Sequence, residues 1–393
     1  MTESGRIANP CRATYFPAVL YFDHNATSPL IPEARDAWLE ATERYVGNPS
    51  SLHRVGDRAD KALNEAREKL SAWLGCHPLD IVWTSGATES NNMVLHHLER
   101  AHPEFAAVWV SGIEHPCVIQ TVKKRFAKRH MLLPPEDDGR FDVSKLAISL
   151  NKRRPVLFGL MASNNETGVL QDWQAALETC RESKVEFFCD ATQWMGKQSA
   201  KGLGSCDFVS GSAHKFGGPR GVGFLKVPSA GAVEPLLYGG MQEEGRRAGT
   251  ENVPGVLAMI RALEVREGML NAGNQEERLA WRDEFAEGLL ARVKGTAIVG
   301  KNADRIWNTV SVLMPQADCQ QRWVVKLDKA GFAVSTGSAC ASGKEEPSHV
   351  LTAMGYSAAD AGTVLRFSSS WETTREDWQQ LLDGIVETNE GMR

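Results

Sequence analysis

The chain has 393 residues, 42% hydrophobic and 24% charged, enough apolar material for a large core without disulfides or a structural metal. Its 44 basic and 49 acidic residues leave a formal charge of −5, which argues against direct nucleic-acid binding and against a polybasic membrane anchor. No apolar run approaches the ~18 residues of a spanning helix, and the first twenty residues lack an apolar segment with a cleavage site. The expectation is therefore a cytoplasmic protein of two or three domains.

In chain order, Ala62, Leu63, Ala66, Leu70 and Leu74 lie at helical spacing and predict a helix over 57–74. A β-rich run at Ile81 (IVWTSG) precedes a helical pattern from Glu89 to Leu98. AAVWVSG from Ala106, PVLFGLMASNN from Pro155 and VEFFCDATQ from Val185 read as strands, with a helix, WQAALETCRES, between the last two. FVSGSAHKFGG and VGFLKV form a further pair around a glycine-rich turn. This alternation over about 200 residues predicts an α/β domain with a mostly parallel sheet. Its glycines fall at strand ends, where such sheets bind ligands. After about residue 255 two long charged helical stretches follow, VLAMIRALEVREGML and QEERLAWRDEFAEGLLARV. Shorter strands (AIVG, NTVSVLM, FAVSTGS, TVLRFSSS) and a C-terminal helix from near Glu376 complete the pattern of a smaller α+β domain.

Four stretches carry residue types suited to chemistry. TSGATESNN, from Thr84, runs from a strand through Ser-Gly-Ala-Thr into a helix, and so exposes backbone N–H groups at a positive helix end. Thr88 or Ser85 acting as an ordinary N-cap is the competing reading. The stretch has neither the P-loop nor the G-x-G-x-x-G spacing, which disfavours an NTPase or a Rossmann dehydrogenase. SGSAHKFGGPRGVGF puts Lys215 in small and apolar company, where desolvation favours a neutral nucleophilic amine; a loop lysine with a packed stem is the alternative. FFCDATQ ends a hydrophobic run on Asp190, a helix cap or the partner of a buried cation such as a pyridinium nitrogen. STGSACASG surrounds Cys340 with Ser, Gly and Ala, a setting for an exposed, reactive thiol or for an incidental loop cysteine. The other cysteines are Cys11, Cys76, Cys117, Cys180, Cys189, Cys206 and Cys319, and no C-x-x-C pair occurs, so no metal or iron–sulfur framework is expected.

Together these motifs make the chain resemble the pyridoxal-phosphate-dependent cysteine desulfurases of the NifS/IscS type, within the class V aminotransferase superfamily. The resemblance runs from YFDHNATSPL at Tyr21 to LRFS at Leu365, through GNPSSLH, TSGATESNN, EHPCV, NNETG, DATQ, SGSAHKFGGPRGVG, GRRAGTEN and STGSACASGKEEPSHVL. It implies a fold type I PLP-dependent transferase: a large α/β domain over 21–262, and a small α+β domain formed by 1–20 and 263–393 that carries the cysteine loop. Lys215 is then the lysine that holds pyridoxal 5′-phosphate as a Schiff base, and His115 the imidazole that stacks on the cofactor and manages protons. Asp190 pairs with the ring nitrogen and Gln193 with the phenolic oxygen. Ala87, Thr88, Ser212 and His214 match phosphate or cofactor contacts, and Thr250 a phosphate contact that reaches across from the second subunit of a homodimer. Asn165, also at the cofactor, and Arg366 match the residues that hold the substrate carboxylate. Cys340 matches the sulfur-accepting cysteine, in a loop of the longer, mobile type rather than the R-x-G-H-H-C-A type. Cys117 has no role in the family and reads as structural.

The implied activity is removal of sulfur from L-cysteine, giving L-alanine and a persulfide on Cys340. That sulfur is passed to an acceptor protein for iron–sulfur cluster assembly or thiolation. His24, Ser28 and Arg220 depart from the usual residues of the family motifs but leave the catalytic set intact. A transaminase, a lyase or a selenocysteine-preferring enzyme on the same cofactor stays open, as does an idle scaffold. Cys340 speaks against the first, and the intact set of Lys215, His115, Asp190 and Cys340 against the last.

Overall fold

The computed structural model describes residues 19–102, 107–228, 233–315, 320–336 and 347–391. Its strands in chain order are β1 (Leu20–Tyr21), β2 (Ile81–Thr84), β3 (Val108–Ser111), β4 (His130–Leu133), β5 (Leu157–Gly159), β6 (Glu186–Asp190), β7 (Phe208–Ser212), β8 (Gly223–Lys226), β9 (Ala297–Ile298), β10 (Thr309–Leu313), β11 (Phe332–Ala333) and β12 (Val364–Ser368). The helices are α1 (Pro32–Arg44), α2 (Arg54–Leu74), α3 (Ala87–Ala101), α4 (Pro116–Arg125), α5 (Val143–Lys152), α6 (Trp173–Glu182), α7 (Val253–Asn271), α8 (Gln275–Arg292), α9 (Gln320–Lys329), α10 (His349–Ala353), α11 (Ala358–Ala361) and α12 (Arg375–Glu390).

The main sheet has seven strands in the order β2-β8-β7-β6-β5-β3-β4. The pairs from β7 to β4 are parallel, and β8 lies antiparallel to both β7 and β2. These strands are apolar at almost every position because helices cover both faces. One face packs Leu63, Leu70, Trp83, Phe158, Phe187 and Phe224 against the side of α2, α6 and α7. The other packs Val82, Val94, Val110, Val122, Phe188 and Phe208 against α3 and α4. Helix boundaries follow local chemistry. His53 Nδ1 accepts the Gly56 N–H at the start of α2, and Gly75 ends that helix in the left-handed region at φ 78°. Asp172 caps α6, and a capping box of Thr374 and Asp377 opens α12.

Residues beyond α7 build a second core. β12, β10 and β9 form an antiparallel sheet, and β1 pairs with β11. Against them pack Phe22, Phe285, Trp378, Leu381 and Ile385 from the N-terminal strand, α8 and α12. The segment from Leu20 to Asp23 therefore joins the C-terminal layer. Phe22 meets the Trp378 ring at 4.8 Å, and the Asp23 bridge to Ser368 carries the next residues toward the main sheet.

The expected strands and long helices appear at the expected places. Helices α1, α4 and α5 go beyond the periodicity that the sequence displays. α1 buries only Ala34 and Ala41, against α7, and so shows almost no apolar stripe.

Candidate active site

The carboxyl ends of β2, β3, β5, β6 and β7 open on one cavity of about 490 Å³. This is the place where a parallel sheet presents backbone and side chains to a ligand. Ala87, Thr88, His115, Asn165, Asp190, Gln193, Ser212, His214, Lys215 and Arg366 all line it. Of the other residues singled out in the sequence, Thr250 is exposed and lies outside this lining. Cys340 falls in 337–346, outside the described residues.

After β7 the chain makes a single 3₁₀ turn, Ala213–Lys215, and Lys215 extends its amine to the carbonyls of Asn25 (2.7 Å) and Ala26 (2.8 Å). Asp190 ends β6. One carboxylate oxygen accepts from the Thr192 N–H (2.9 Å), the other from Asn91 Nδ2 (2.8 Å). Both donors are neutral, and no salt bridge among the described residues involves this buried acid.

His115 is the N-cap of α4, and its Nδ1 accepts the Cys117 N–H at 3.2 Å. In the neutral ring the proton is therefore on Nε2. Burial lowers the pKa of this imidazole and Lys215 lowers it further, while Asp190 opposes both. Cys117, expected to be a structural thiol, lies in the same cavity. Its Sγ is 3.0 Å from His115 Nδ1 and 3.2 Å from Asn91 Nδ2, and burial pushes the thiol up to about 12. It is a protonated partner of the imidazole. Glu114, fully buried beside them, accepts the Met161 N–H at 2.7 Å, and burial, then Asp190, raises its pKa well above the carboxylate range.

Opposite this wall stands Arg366 on β12, 1% exposed, which donates to the Asn165 carbonyl (2.9 Å) and pairs with Asp23 (2.5 Å). Asn25 ties the two walls together. Its Nδ2 donates to the Asn165 carbonyl (3.1 Å) and Thr309 (2.9 Å), and its carbonyl accepts from Gln193 Nε2 (2.9 Å) as well as from Lys215.

The third wall is the start of α3. Gly86, at φ 147°, is its N-cap and supplies no side-chain cap, so the first helical turn meets the cavity with bare backbone N–H groups. A Cβ at Gly86 would stand 3.3 Å from Ser212 Oγ. His214 shares this corner, bonded to Thr27 Oγ1 (3.1 Å), and burial lowers its pKa to about 4. Glu89, also at the cavity, pairs with Arg247 and anchors the segment that carries Thr250.

The chain on either side of 337–346 borders this site. Ser335 exchanges backbone hydrogen bonds with Arg366, Ser348 donates to Glu166 beside Asn165 (2.5 Å), and His349 contacts the Glu114 carbonyl (2.8 Å).

The aminotransferase class-V model matches residues 20–381, nearly the whole described chain. The chain belongs to the class-V aminotransferase family. It is 36% identical over 369 residues to a cysteine desulfurase of Cereibacter sphaeroides, covering 93% of this chain and 94% of the relative. It is 34% identical over 380 residues to the cysteine desulfurase IscS of Dictyoglomus turgidum, with 95% of each covered. Among solved structures, a NifS-like protein superposes with a TM-score of 0.85 at 29% identity, covering 94% of this chain and 98% of the other. The mostly parallel sheet and the strand-end cavity are thus the fold of this family.

The motif reading missed several members of the site. Asn25, Asn91, Glu114 and Lys197 are buried polar residues within or beside quoted motifs, and their spacing to Asp190 or Lys215 gives no sign of contact.

Proposed function

We propose that the chain is a cysteine desulfurase that uses pyridoxal 5′-phosphate, converts L-cysteine to L-alanine and collects the sulfur as a persulfide on Cys340. The observation that carries this reading is the pair formed by Asp190 and Lys215 on one cavity, a buried acid that accepts from two neutral donors and an amine lining the same space. The residues suit the cofactor. The uncapped start of α3, with Thr88, Ser212 and His214, is a receptor for a phosphate dianion. Asp190 is a ready partner for a protonated ring nitrogen, Gln193 for the phenolic oxygen, and Lys215 for covalent attachment. Thr250 is exposed, as fits a phosphate contact made to the partner of a homodimer.

When bound, the cofactor supplies an electron sink for charge developing at the substrate α-carbon. Arg366 and Asn165 orient the substrate carboxylate, the guanidinium being suited to a two-point grip. Lys215 accepts the α-proton with the amine that reaches the Asn25 and Ala26 carbonyls at the cavity. The Cys340 thiolate attacks the substrate sulfur, so that an S–S bond forms as the C–S bond breaks. The bonding pair stays on carbon and is protonated to give alanine. His115, with its Nε2 proton, serves as the proton donor or acceptor in these steps. Sulfur then leaves for an acceptor protein, an iron–sulfur scaffold or a thiolation carrier. The proposed compartment is the cytoplasm.

Incubation of the purified protein with L-cysteine tests this. Alanine and one added sulfur atom on the peptide containing Cys340 are expected. Cys340→Ala should remain yellow and release no sulfide. Alanine without a Cys340 persulfide would overturn the assignment.

A further inference from the structure

Lys197 is a buried group that this chemistry leaves unused. It is 4% exposed and lies behind Gln193, one turn along the chain, with its backbone carbonyl fixed by Trp307 Nε1 (2.9 Å) and Gln275 Nε2 (2.6 Å). Its amine donates to Gln193 Oε1 (2.6 Å) and Asn25 Oδ1 (3.1 Å), both neutral amide oxygens. Burying an ammonium against two amides is costly, and an apolar residue would fill the space without that cost. Packing alone therefore does not explain a lysine here.

What Lys197 does is decide which way two amides face. A lysine amine at this place offers protons, so the oxygens of Gln193 and Asn25 must turn toward it. Gln193 is then obliged to present Nε2 to the Asn25 carbonyl, and Asn25 to present Nδ2 to the Asn165 carbonyl and Thr309. That Asn25 carbonyl is an acceptor of the Lys215 amine. Lys197 thus orders the Gln193 amide and, together with Asn308 Nδ2 (3.2 Å to Asn25 Oδ1), the Asn25 amide beside the resting position of Lys215. Among the described residues, Lys215 and Arg366 act on it as like charges, and the imidazoles of His24 and His214 lie within its field.

We propose that Lys197 is a positioning residue which, through Gln193 and Asn25, sets the pH at which the Lys215 nitrogen loses its proton in the cofactor-loaded enzyme. The inference rests on the function proposed above. With its oxygen held by Lys197 and one N–H given to the Asn25 carbonyl, Gln193 has only its remaining N–H to offer the cavity. A donor toward the phenolic oxygen of the cofactor favours the phenolate and with it the unprotonated nitrogen. Once Lys197 is replaced, the Gln193 amide is free to rotate and that preference falls.

The test is the pH titration of the cofactor's visible absorption in the holoenzyme, for wild type, Lys197→Met, Gln193→Leu and the double variant. Each single variant should raise the midpoint by about half a pH unit or more, the size of one net hydrogen bond, and the double variant should raise it no further. A lowered melting temperature with an unmoved midpoint would mean that Lys197 is only structural. Additive shifts in the double variant would mean that it does not act through Gln193. Should Lys197→Met fail to fold, Gln193→Leu reads the same lock, and an unmoved midpoint there overturns the proposal. A wild-type protein without the band would overturn the functional reading and this inference together. A normal band whose midpoint is insensitive to these variants would overturn only the inference.

Discussion

Lys215 and Lys197 bond to the same residue, Asn25, and sit in contrasting regions. Lys215 reaches its backbone carbonyl from the edge of the cavity, at the end of a strand of the main sheet. Lys197 reaches its side-chain oxygen from a closed compartment between the main sheet and the C-terminal layer, roofed by Trp307. The Lys197 amine is held by two neutral amide oxygens, and burial lowers its pKa far below that of an ordinary lysine. Low proton affinity is therefore not what singles out the reacting lysine. What distinguishes Lys215 is that it lines the cavity that Asp190 also lines, as Lys197 does not.

Lys215→Ala is the hardest blow to this contrast. It should abolish the cofactor band and cut alanine formation by about 10⁴-fold or more, since both attachment and proton transfer are lost. Residual turnover carried by Lys197 would break the comparison. Asp190→Asn keeps the shape and the Asn91 contact but removes the charge. A loss of about 10²–10³-fold in kcat, with cofactor still bound, is expected from the electrostatics.

The buried imidazoles give a pH signature. His24 is held neutral by burial, with a pKa lowered to about 3, and His214 likewise at about 4, against about 6.5 in the unfolded chain. Between those values the unfolded state binds more protons, so the stabilising contribution is complete above about pH 6.5 and is lost as pH falls toward 4. Chemical denaturation across that range should show stability dropping by about 1 kcal/mol per pH unit for each histidine, and His24→Asn should flatten the slope. The smallest effect is expected at Cys117. Because its thiol keeps its proton and only supports His115, Cys117→Ser should change kcat/KM by less than about tenfold. A loss as large as that of Asp190→Asn would make Cys117 a participant.

The strand-end half of the site was legible because its chemistry lies where hydrophobic runs stop. Asp190 closes β6 and Lys215 comes three residues after β7, and the parallel sheet brings such ends together. The half around Asn25 was not. Its partners are distant in sequence, with Asn165 140 residues away, Lys215 190 and Ser368 343. Hydrogen bonds over such separations leave no periodicity behind. The same holds for Lys197, which looks like any lysine in a turn until Gln193 and Asn25 surround it. Helix α1 was hidden for another reason, since a surface helix that buries two alanines has little apolar pattern to display.

The central claim is that Lys215, not Lys197, is the amine that takes the cofactor. Borohydride reduction of the yellow enzyme, followed by peptide mapping by mass, tests it most directly. The account predicts the reduced pyridoxyl group on the peptide that contains Lys215, with the Lys197 peptide unmodified. A label on Lys197, or on any lysine outside this cavity, would contradict it.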